Sequence, residues 1–171
     1  YQHYLESGRT DVEAPTFLLL HGFPFNAFSW LPQIDRLGRR GRVIALDQLP
    51  YGLSEKLVSG DWDGPNPYSR EAAVGLVTTL IDRLNLERVV LVGNSSGGTL
   101  AVEVALAVPN RVDRLVLVAP WVYVTRPVLP RFLAESWPLR RLSLLVGRKL
   151  GEGMPLLARS YADPGKITKE R

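Results

Sequence analysis

The sequence predicts an α/β protein whose sheet is doubly wound and mostly parallel. Short apolar runs that do not alternate with polar residues are typical of strands buried on both faces, and such strands belong to parallel sheets. Helix-like segments lie between these runs, and a new strand begins about every 25–45 residues. Strands that alternate with helices at this spacing are joined by right-handed crossovers, which place helices on both faces of one sheet.

Four apolar runs are the predicted strands. They are rich in Val, Leu and Ile, and in chain order they are TFLLL (16–20), RVIAL (42–46), RVVLV (88–92) and RLVLV (114–118). The first predicted helix, Ser29–Leu37, lies between the first two strands and has Ser29 as its candidate N-cap.

Two further helices are predicted on either side of the third strand. The helix Ser69–Leu84 opens on Ser69, a good N-cap, and carries Glu71 in its first turn, where a negative charge suits the helix dipole. The helix Ser96–Ala107 begins directly after the strand and is stopped by Pro109.

The pattern changes after Pro120. Helical periodicity continues from about Pro127 to Ala162 without another strand run, so residues 1–120 are predicted to form the core and residues 121–171 an incomplete helical lid. Six apolar or aromatic side chains of this region are candidates either for lining a pocket or for ordinary helix packing: Trp121, Tyr123, Phe132, Leu133, Trp137 and Leu144.

Composition and charge exclude several classes of protein. The 171 residues contain no cysteine, so a disulfide framework, a thiolate metal site and a cysteine nucleophile are excluded. No run reaches the roughly 18 apolar residues of a membrane span. The first residues lack the features of a signal peptide, and we expect a cytoplasmic protein.

The net charge of +4 is unevenly distributed. Residues 1–120 carry 11 basic and 13 acidic side chains, whereas residues 121–171 carry 10 basic and 4 acidic ones. The basic residues of the second part alternate with apolar residues at helical spacing, which predicts solvated helix faces. We therefore expect no nucleic-acid partner, because such a partner would need basic residues clustered on one face.

The segment Gly93-Asn94-Ser95-Ser96-Gly97 has the clearest chemical meaning. It matches the G-x-S-x-G pattern, follows a predicted strand directly and opens a helix, as a nucleophile elbow requires. The flanking glycines allow a turn so tight that the serine is strained and presents its hydroxyl above the sheet edge. Ser95 is therefore the candidate catalytic nucleophile. The alternative interpretation is a glycine-rich turn that packs closely or holds a phosphate.

The segment His21-Gly22-Phe23-Pro24 follows the first predicted strand. In folds with a nucleophile elbow, the loop after this strand supplies one N–H group of the oxyanion hole. The candidate donors are the backbone N–H groups of Phe23 and Ser96. His21 is predicted to orient the loop through hydrogen bonds rather than to act as the catalytic base.

The motifs HGFP, RVIALDQLPYGLSEK, VGNSSGG and VDRLVLVAP occur in an order that resembles the α/β-hydrolase superfamily. The resemblance covers nearly the whole chain and is strongest to lid-bearing bacterial serine esterases and carbon–carbon bond hydrolases. It implies a small-molecule substrate, an acyl-enzyme mechanism, and no metal or cofactor. Ser95 distinguishes the chain from haloalkane dehalogenases and epoxide hydrolases, which place aspartate there. The resemblance also implies that Asp47 is structural and bonds loop backbone.

The sequence departs from the family pattern in one respect. The family order is serine, then acid, then histidine, but His3 and His21 are the only histidines and both precede Ser95. RLVLV (114–118) would also be left as an apolar sheet edge. Thr168 predicts the start of a helix within the final residues. We therefore expect a missing C-terminal segment to supply the acid and the histidine.

Three functions remain open from the sequence. The first is hydrolysis of a small or medium-sized apolar ester. The second is hydrolysis of a carbon–carbon bond by the same fold. The third, which applies if the protein ends at Arg171, is ligand binding by a hydrolase-like protein without catalysis.

Overall fold

The computed structural model describes residues 1–10 and 13–121, in which five strands form one sheet. The sheet order is β1-β3-β2-β4-β5, with β1 antiparallel to β3 and every other pairing parallel. The strands are β1 (Tyr4–Gly8), β2 (Thr16–Leu20), β3 (Arg42–Leu46), β4 (Val89–Asn94) and β5 (Val112–Val118). The predicted α/β class and mostly parallel sheet are confirmed.

Three α-helices connect these strands, and they agree closely with the predicted ones. They are α1 (Leu31–Gly38), α2 (Arg70–Arg83) and α3 (Ser96–Ala107), with short 3₁₀ turns at Ala27–Trp30 and Pro109–Arg111. Ser69 caps α2 as predicted, because its hydroxyl accepts a hydrogen bond from the Ala72 N–H at 3.1 Å. Each helix lies in a crossover between parallel strands, as a doubly wound sheet requires.

Two features differ from the prediction. Strand β1 was not predicted, because only Tyr4 and Leu5 pack against the core while the other three residues are exposed, so the strand has no apolar run. Ser29 does not cap α1. The chain first makes a 3₁₀ turn capped by the Asn26 side chain, and the Ser29 hydroxyl donates to the Asn26 carbonyl at 2.7 Å.

Apolar side chains of β2, β3 and β4 are buried on both faces of the sheet. On one face, Leu18, Ile44 and Leu91 pack with α2 and α3; on the other, Leu19 and neighbouring side chains of β3 and β4 pack with α1 and Trp30. At roughly 25 cal/mol per Å² of apolar surface, this two-sided burial is the main stabilising contribution. It explains why these strands have continuous apolar sequences.

Among the described residues, strand β5 is an edge of the sheet and is apolar but exposed. In that part of the chain it pairs with β4 alone, and Leu115, Val116, Leu117 and Val118 are 38–45% exposed. This agrees with the expectation that residues 114–118 form an apolar sheet edge. Within the described residues, no helix is long and apolar enough to cross a membrane. The predicted lid and its boundary at residue 121 lie outside the described residues, apart from Trp121.

Candidate active site

The two candidate motifs meet at the carboxyl edge of the sheet. Strands β2 and β4 are parallel neighbours, and Leu20 at the end of β2 pairs with Gly93 near the end of β4. The connection after β2 leads to α1 on one face of the sheet, whereas α3 follows β4 on the other. Such a switch point opens a crevice at the carboxyl ends of the strands, the usual ligand position in open α/β sheets.

Ser95 has the backbone conformation of a strained elbow. Its φ is 51° and its ψ is −117°, and it stands as the N-cap of α3 without making a side-chain cap. Two hydrogen bonds of 3.0 Å fix it to the end of β5 and to the residues that follow: its N–H donates to the carbonyl of Val118, the last residue of β5, and its carbonyl accepts from the Trp121 N–H. The half-buried Ser95 side chain is therefore held at the N-terminus of α3, and it does not cap that helix.

The glycines of the elbow are required by close approach of backbones. A Cβ on Gly97 would lie 2.3 Å from the Leu20 carbonyl oxygen and 2.4 Å from that of His21. A Cβ on Gly93 would lie 2.4 Å from the Gly97 carbonyl oxygen. Real Cβ atoms do not approach backbone this closely, so only glycine lets α3 start directly against β2 and β4.

The loop after β2 lies against the elbow. A Cβ on Gly22 would be 3.0 Å from the Cβ of Ser95, so the two backbones are in contact. The Phe23 N–H donates a 2.9 Å hydrogen bond to the Ser96 hydroxyl. Ser96 is the first residue of α3, and its own N–H has no acceptor within the helix. The two predicted oxyanion donors, Phe23 and Ser96, are thus next to each other and to Ser95.

His21 supports the loop and is buried. Its Nδ1 lies 3.1 Å from the Gly22 carbonyl oxygen, to which it donates, and its Nε2 accepts from the Gln48 N–H at 3.1 Å. The Gln48 side chain in turn donates to the His21 carbonyl at 2.6 Å. Both ring nitrogens are therefore engaged away from Ser95. These hydrogen bonds link the loop after β2 to Gln48, and the orienting role of His21 stays a prediction.

Burial also governs the charge of His21. Loss of solvent lowers the pKa of this side chain below its ordinary value of 6.5, and the Gly22 carbonyl and Asp47 oppose only part of that effect. A lowered pKa favours the neutral ring, and donation from Nδ1 together with acceptance at Nε2 requires that form.

Acid is expected to destabilise the protein through His21. The unfolded chain takes up a proton below pH 6.5 while the folded chain does not, so this contribution to stability is complete above pH 6.5 and is lost as the pH falls. As the pH falls below 6.5, the free energy of unfolding of the wild type, measured with urea, should decrease by up to about 1.4 kcal/mol per pH unit more than that of His21→Gln. The variant keeps His3, so the difference reports His21 alone. Equal pH slopes for the two proteins would contradict the prediction.

Asp47 holds the two loops that surround the site. It is fully buried, and its carboxyl oxygens accept from the Ala27 N–H at 2.6 Å and the Leu53 N–H at 2.8 Å. His3 Nδ1 lies 2.7 Å from the same carboxyl group. Asp47 therefore bonds loop backbone, as its resemblance-based role implies. The pairing with His3 was not predicted, because nothing in the local sequence links residues 44 positions apart.

The described residues contain no base for Ser95. Both histidines of the sequence are bonded elsewhere, and no described group of three or more His, Cys, Asp or Glu is placed to hold a metal ion. A groove of about 640 Å³ lies at the opposite, amino end of the strands, where Arg42 pairs with Glu6 at 2.7 Å and Arg88 with Asp113 at 3.0 Å. The groove and Ser95 thus lie at opposite ends of the strands, and the groove is not part of the candidate active site.

Comparison with known proteins agrees with this architecture. The family model described as alpha/beta hydrolase fold matches residues 15–142, which is most of the chain. The chain belongs to the α/β-hydrolase fold family. The matched segment contains the HGFP loop, the elbow and strands β2 to β5.

Individual relatives carry several hydrolase names. The chain is 35% identical over 164 residues to the uncharacterized protein Rv2715 of Mycobacterium tuberculosis, covering 96% of this chain and 44% of that protein. It is 36% identical over 118 residues to epoxide hydrolase 3 of Xenopus tropicalis, covering 67% and 29%. The solved structure of the meta-cleavage product hydrolase CumD from Pseudomonas fluorescens IP01 is 30% identical with a TM-score of 0.60, covering 70% and 41%. The chain thus spans less than half the length of each.

Proposed function

We propose that the protein is a serine hydrolase that acts through an acyl-enzyme on a small or medium-sized, largely apolar ester. The observation that carries this proposal is the geometry of Ser95. A serine with φ of 51° stands at the start of α3, in contact with the loop whose Phe23 N–H points at the elbow. A strained nucleophile beside two amide donors is the arrangement that acyl transfer needs.

The proposed reaction begins with attack of Ser95 Oγ on the ester carbonyl carbon. The carbonyl electron pair moves to oxygen, and the resulting oxyanion accepts hydrogen bonds from the N–H groups of Phe23 and Ser96. A histidine takes the serine proton and delivers it to the departing alkoxide, which leaves acyl-Ser95. Water, deprotonated by the same histidine, then releases the acid and restores the serine.

We infer that the histidine and its acid lie in sequence C-terminal to these 171 residues. His21 is bonded to Gly22 and Gln48, and His3 to Asp47, so neither faces Ser95. The relatives named above are more than twice as long as the matched segment, which leaves room for both groups. A serine hydroxyl without a base is a weak nucleophile.

Carbon–carbon bond hydrolysis is the second candidate. The similarity to a meta-cleavage product hydrolase with a TM-score of 0.60 favours it, and the same serine and amide donors would serve. A direct comparison of turnover on a p-nitrophenyl ester and on a dienoic diketo acid separates the two candidates.

The proposal is tested by labelling with a fluorophosphonate probe. The protein is purified from its natural source, so that any sequence continuous with the 171 residues is retained, and its intact mass is measured before and after labelling. We expect a mass above 19.0 kDa and one adduct, mapped to the peptide that contains Ser95. Heat-denatured protein should not be labelled, because only an activated serine reacts.

The opposite result has a clear meaning. A folded protein that gains no adduct on Ser95 has no activated nucleophile, and the hydrolase proposal is then wrong. Ligand binding by a hydrolase-like fold would become the better interpretation.

A further inference from the structure

The Ser96 hydroxyl is bonded to one of the two proposed oxyanion donors. Its hydroxyl oxygen accepts the Phe23 N–H at 2.9 Å, and Phe23 is one of the two proposed backbone donors. An acceptor on this N–H therefore already exists in the structure, and it belongs to the residue next to the nucleophile. A substrate oxygen that is to use the Phe23 N–H must replace the Ser96 hydroxyl.

The hydroxyl proton of Ser96 is available for a second interaction. A serine hydroxyl can accept one hydrogen bond and donate another. Among the described residues, none accepts a hydrogen bond from this hydroxyl, and the side chain is half-buried beside Ser95. Ser96 is also the first residue of α3, so its hydroxyl does not compete for a carbonyl within the helix.

We propose that the Ser96 hydroxyl is a third donor of the oxyanion hole, an inference that rests on the proposed hydrolase function. In the free protein, the hydroxyl oxygen accepts the hydrogen bond that the Phe23 N–H donates. When negative charge develops on the substrate oxygen, that oxygen takes the N–H, and the hydroxyl turns about its Cα–Cβ bond to donate its proton to the same oxygen.

This exchange favours the transition state over the bound substrate. A neutral carbonyl oxygen is a modest acceptor and competes poorly with the hydroxyl for the Phe23 N–H. An oxyanion is a much stronger acceptor and gains a short, charge-assisted O–H···O⁻ bond in addition. Interactions that become stronger only in the transition state raise kcat and leave KM nearly unchanged.

The test compares Ser96→Ala and Ser96→Thr in the natural full-length protein, with p-nitrophenyl butyrate as the probe substrate. We expect Ser96→Ala to lower kcat about 100-fold, the loss typical of one oxyanion donor. KM should change less than about two-fold, because the lost bond forms in the transition state. Ser96→Thr keeps the hydroxyl and should retain most of kcat. Thr79→Ala, an exposed hydroxyl on α2, is the matched control and should match the wild type.

Each other outcome overturns the inference. Wild-type or faster turnover by Ser96→Ala would show that the hydroxyl only blocks the Phe23 N–H. Equal losses in both Ser96 variants would show that packing rather than the hydroxyl matters. If the wild type is labelled on Ser95 and Ser96→Ala keeps its kcat, the third donor alone is wrong. If the wild-type Ser95 is not labelled, the hydrolase proposal and the third donor are both wrong.

Discussion

Replacing Ser95 by alanine is expected to lower kcat for ester hydrolysis by about 10⁶-fold, the loss seen when a serine protease loses its nucleophile. The reason is chemical, because no other described hydroxyl stands at the elbow with the same strained backbone. Alanine keeps the Cβ that lies against Gly22, so the loop should not move. Steady-state turnover of p-nitrophenyl butyrate measures the effect.

A matched serine elsewhere separates chemistry from folding. Ser59 is an exposed loop residue, and Ser59→Ala should keep wild-type turnover. Urea unfolding of Ser95→Ala should show a fold at least as stable as the wild type, since the Ser95 hydroxyl caps no helix. A Ser95→Ala protein that is folded and still turns over the ester at more than a few per cent of the wild-type rate would disprove the nucleophile assignment.

The largest effect on stability is expected at Asp47. Replacing it by alanine leaves the Ala27 N–H, the Leu53 N–H and His3 Nδ1 without this acceptor; the Ala27 contact is buried and the other two are partly buried. A buried donor without a partner costs about 1–3 kcal/mol, so we expect a total loss of about 3–5 kcal/mol in the free energy of unfolding. Urea denaturation measures this loss directly.

Two further variants make the Asp47 prediction specific. Asp47→Asn keeps the size of the side chain but presents an NH₂ group to one of the donors. Its free energy of unfolding should therefore lie between that of the wild type and that of Asp47→Ala. Asp35→Ala removes an exposed carboxyl group on α1 and should change the stability by less than about 0.5 kcal/mol. Equal effects at Asp47 and Asp35 would show that the loop network does not stabilise the fold.

Local signals explain what could be predicted from the sequence. The strands β2 to β5 were recognisable because an apolar run is a property of consecutive residues, and α2 because Ser69 and Glu71 mark its first turn. The elbow was recognisable for the same reason, since Gly93 and Gly97 each lie two residues from Ser95, although the Leu20 and His21 carbonyls that require glycine at position 97 are distant in the sequence.

Most of the features that were missed depend on distant residues, and the 3₁₀ turn capped by Asn26 is the local exception. Strand β1 exists because β3 pairs with it, and its own residues are too polar to indicate burial. The Phe23–Ser96 hydrogen bond joins residues 73 positions apart, and the Asp47–His3 contact joins residues 44 positions apart. Their side chains carry no sign of a partner until the sheet has brought the loops together.

The backbone conformation of Ser95 lowers the stability of the fold. A non-glycine residue at φ of 51° and ψ of −117° costs on the order of 1–3 kcal/mol, and the bonds to Val118 and Trp121 hold it there. Selection for stability alone would replace this serine with glycine, which adopts the same turn without the penalty. A serine at this position is the mark of a trade-off, in which the fold gives up stability to keep one hydroxyl in a fixed orientation.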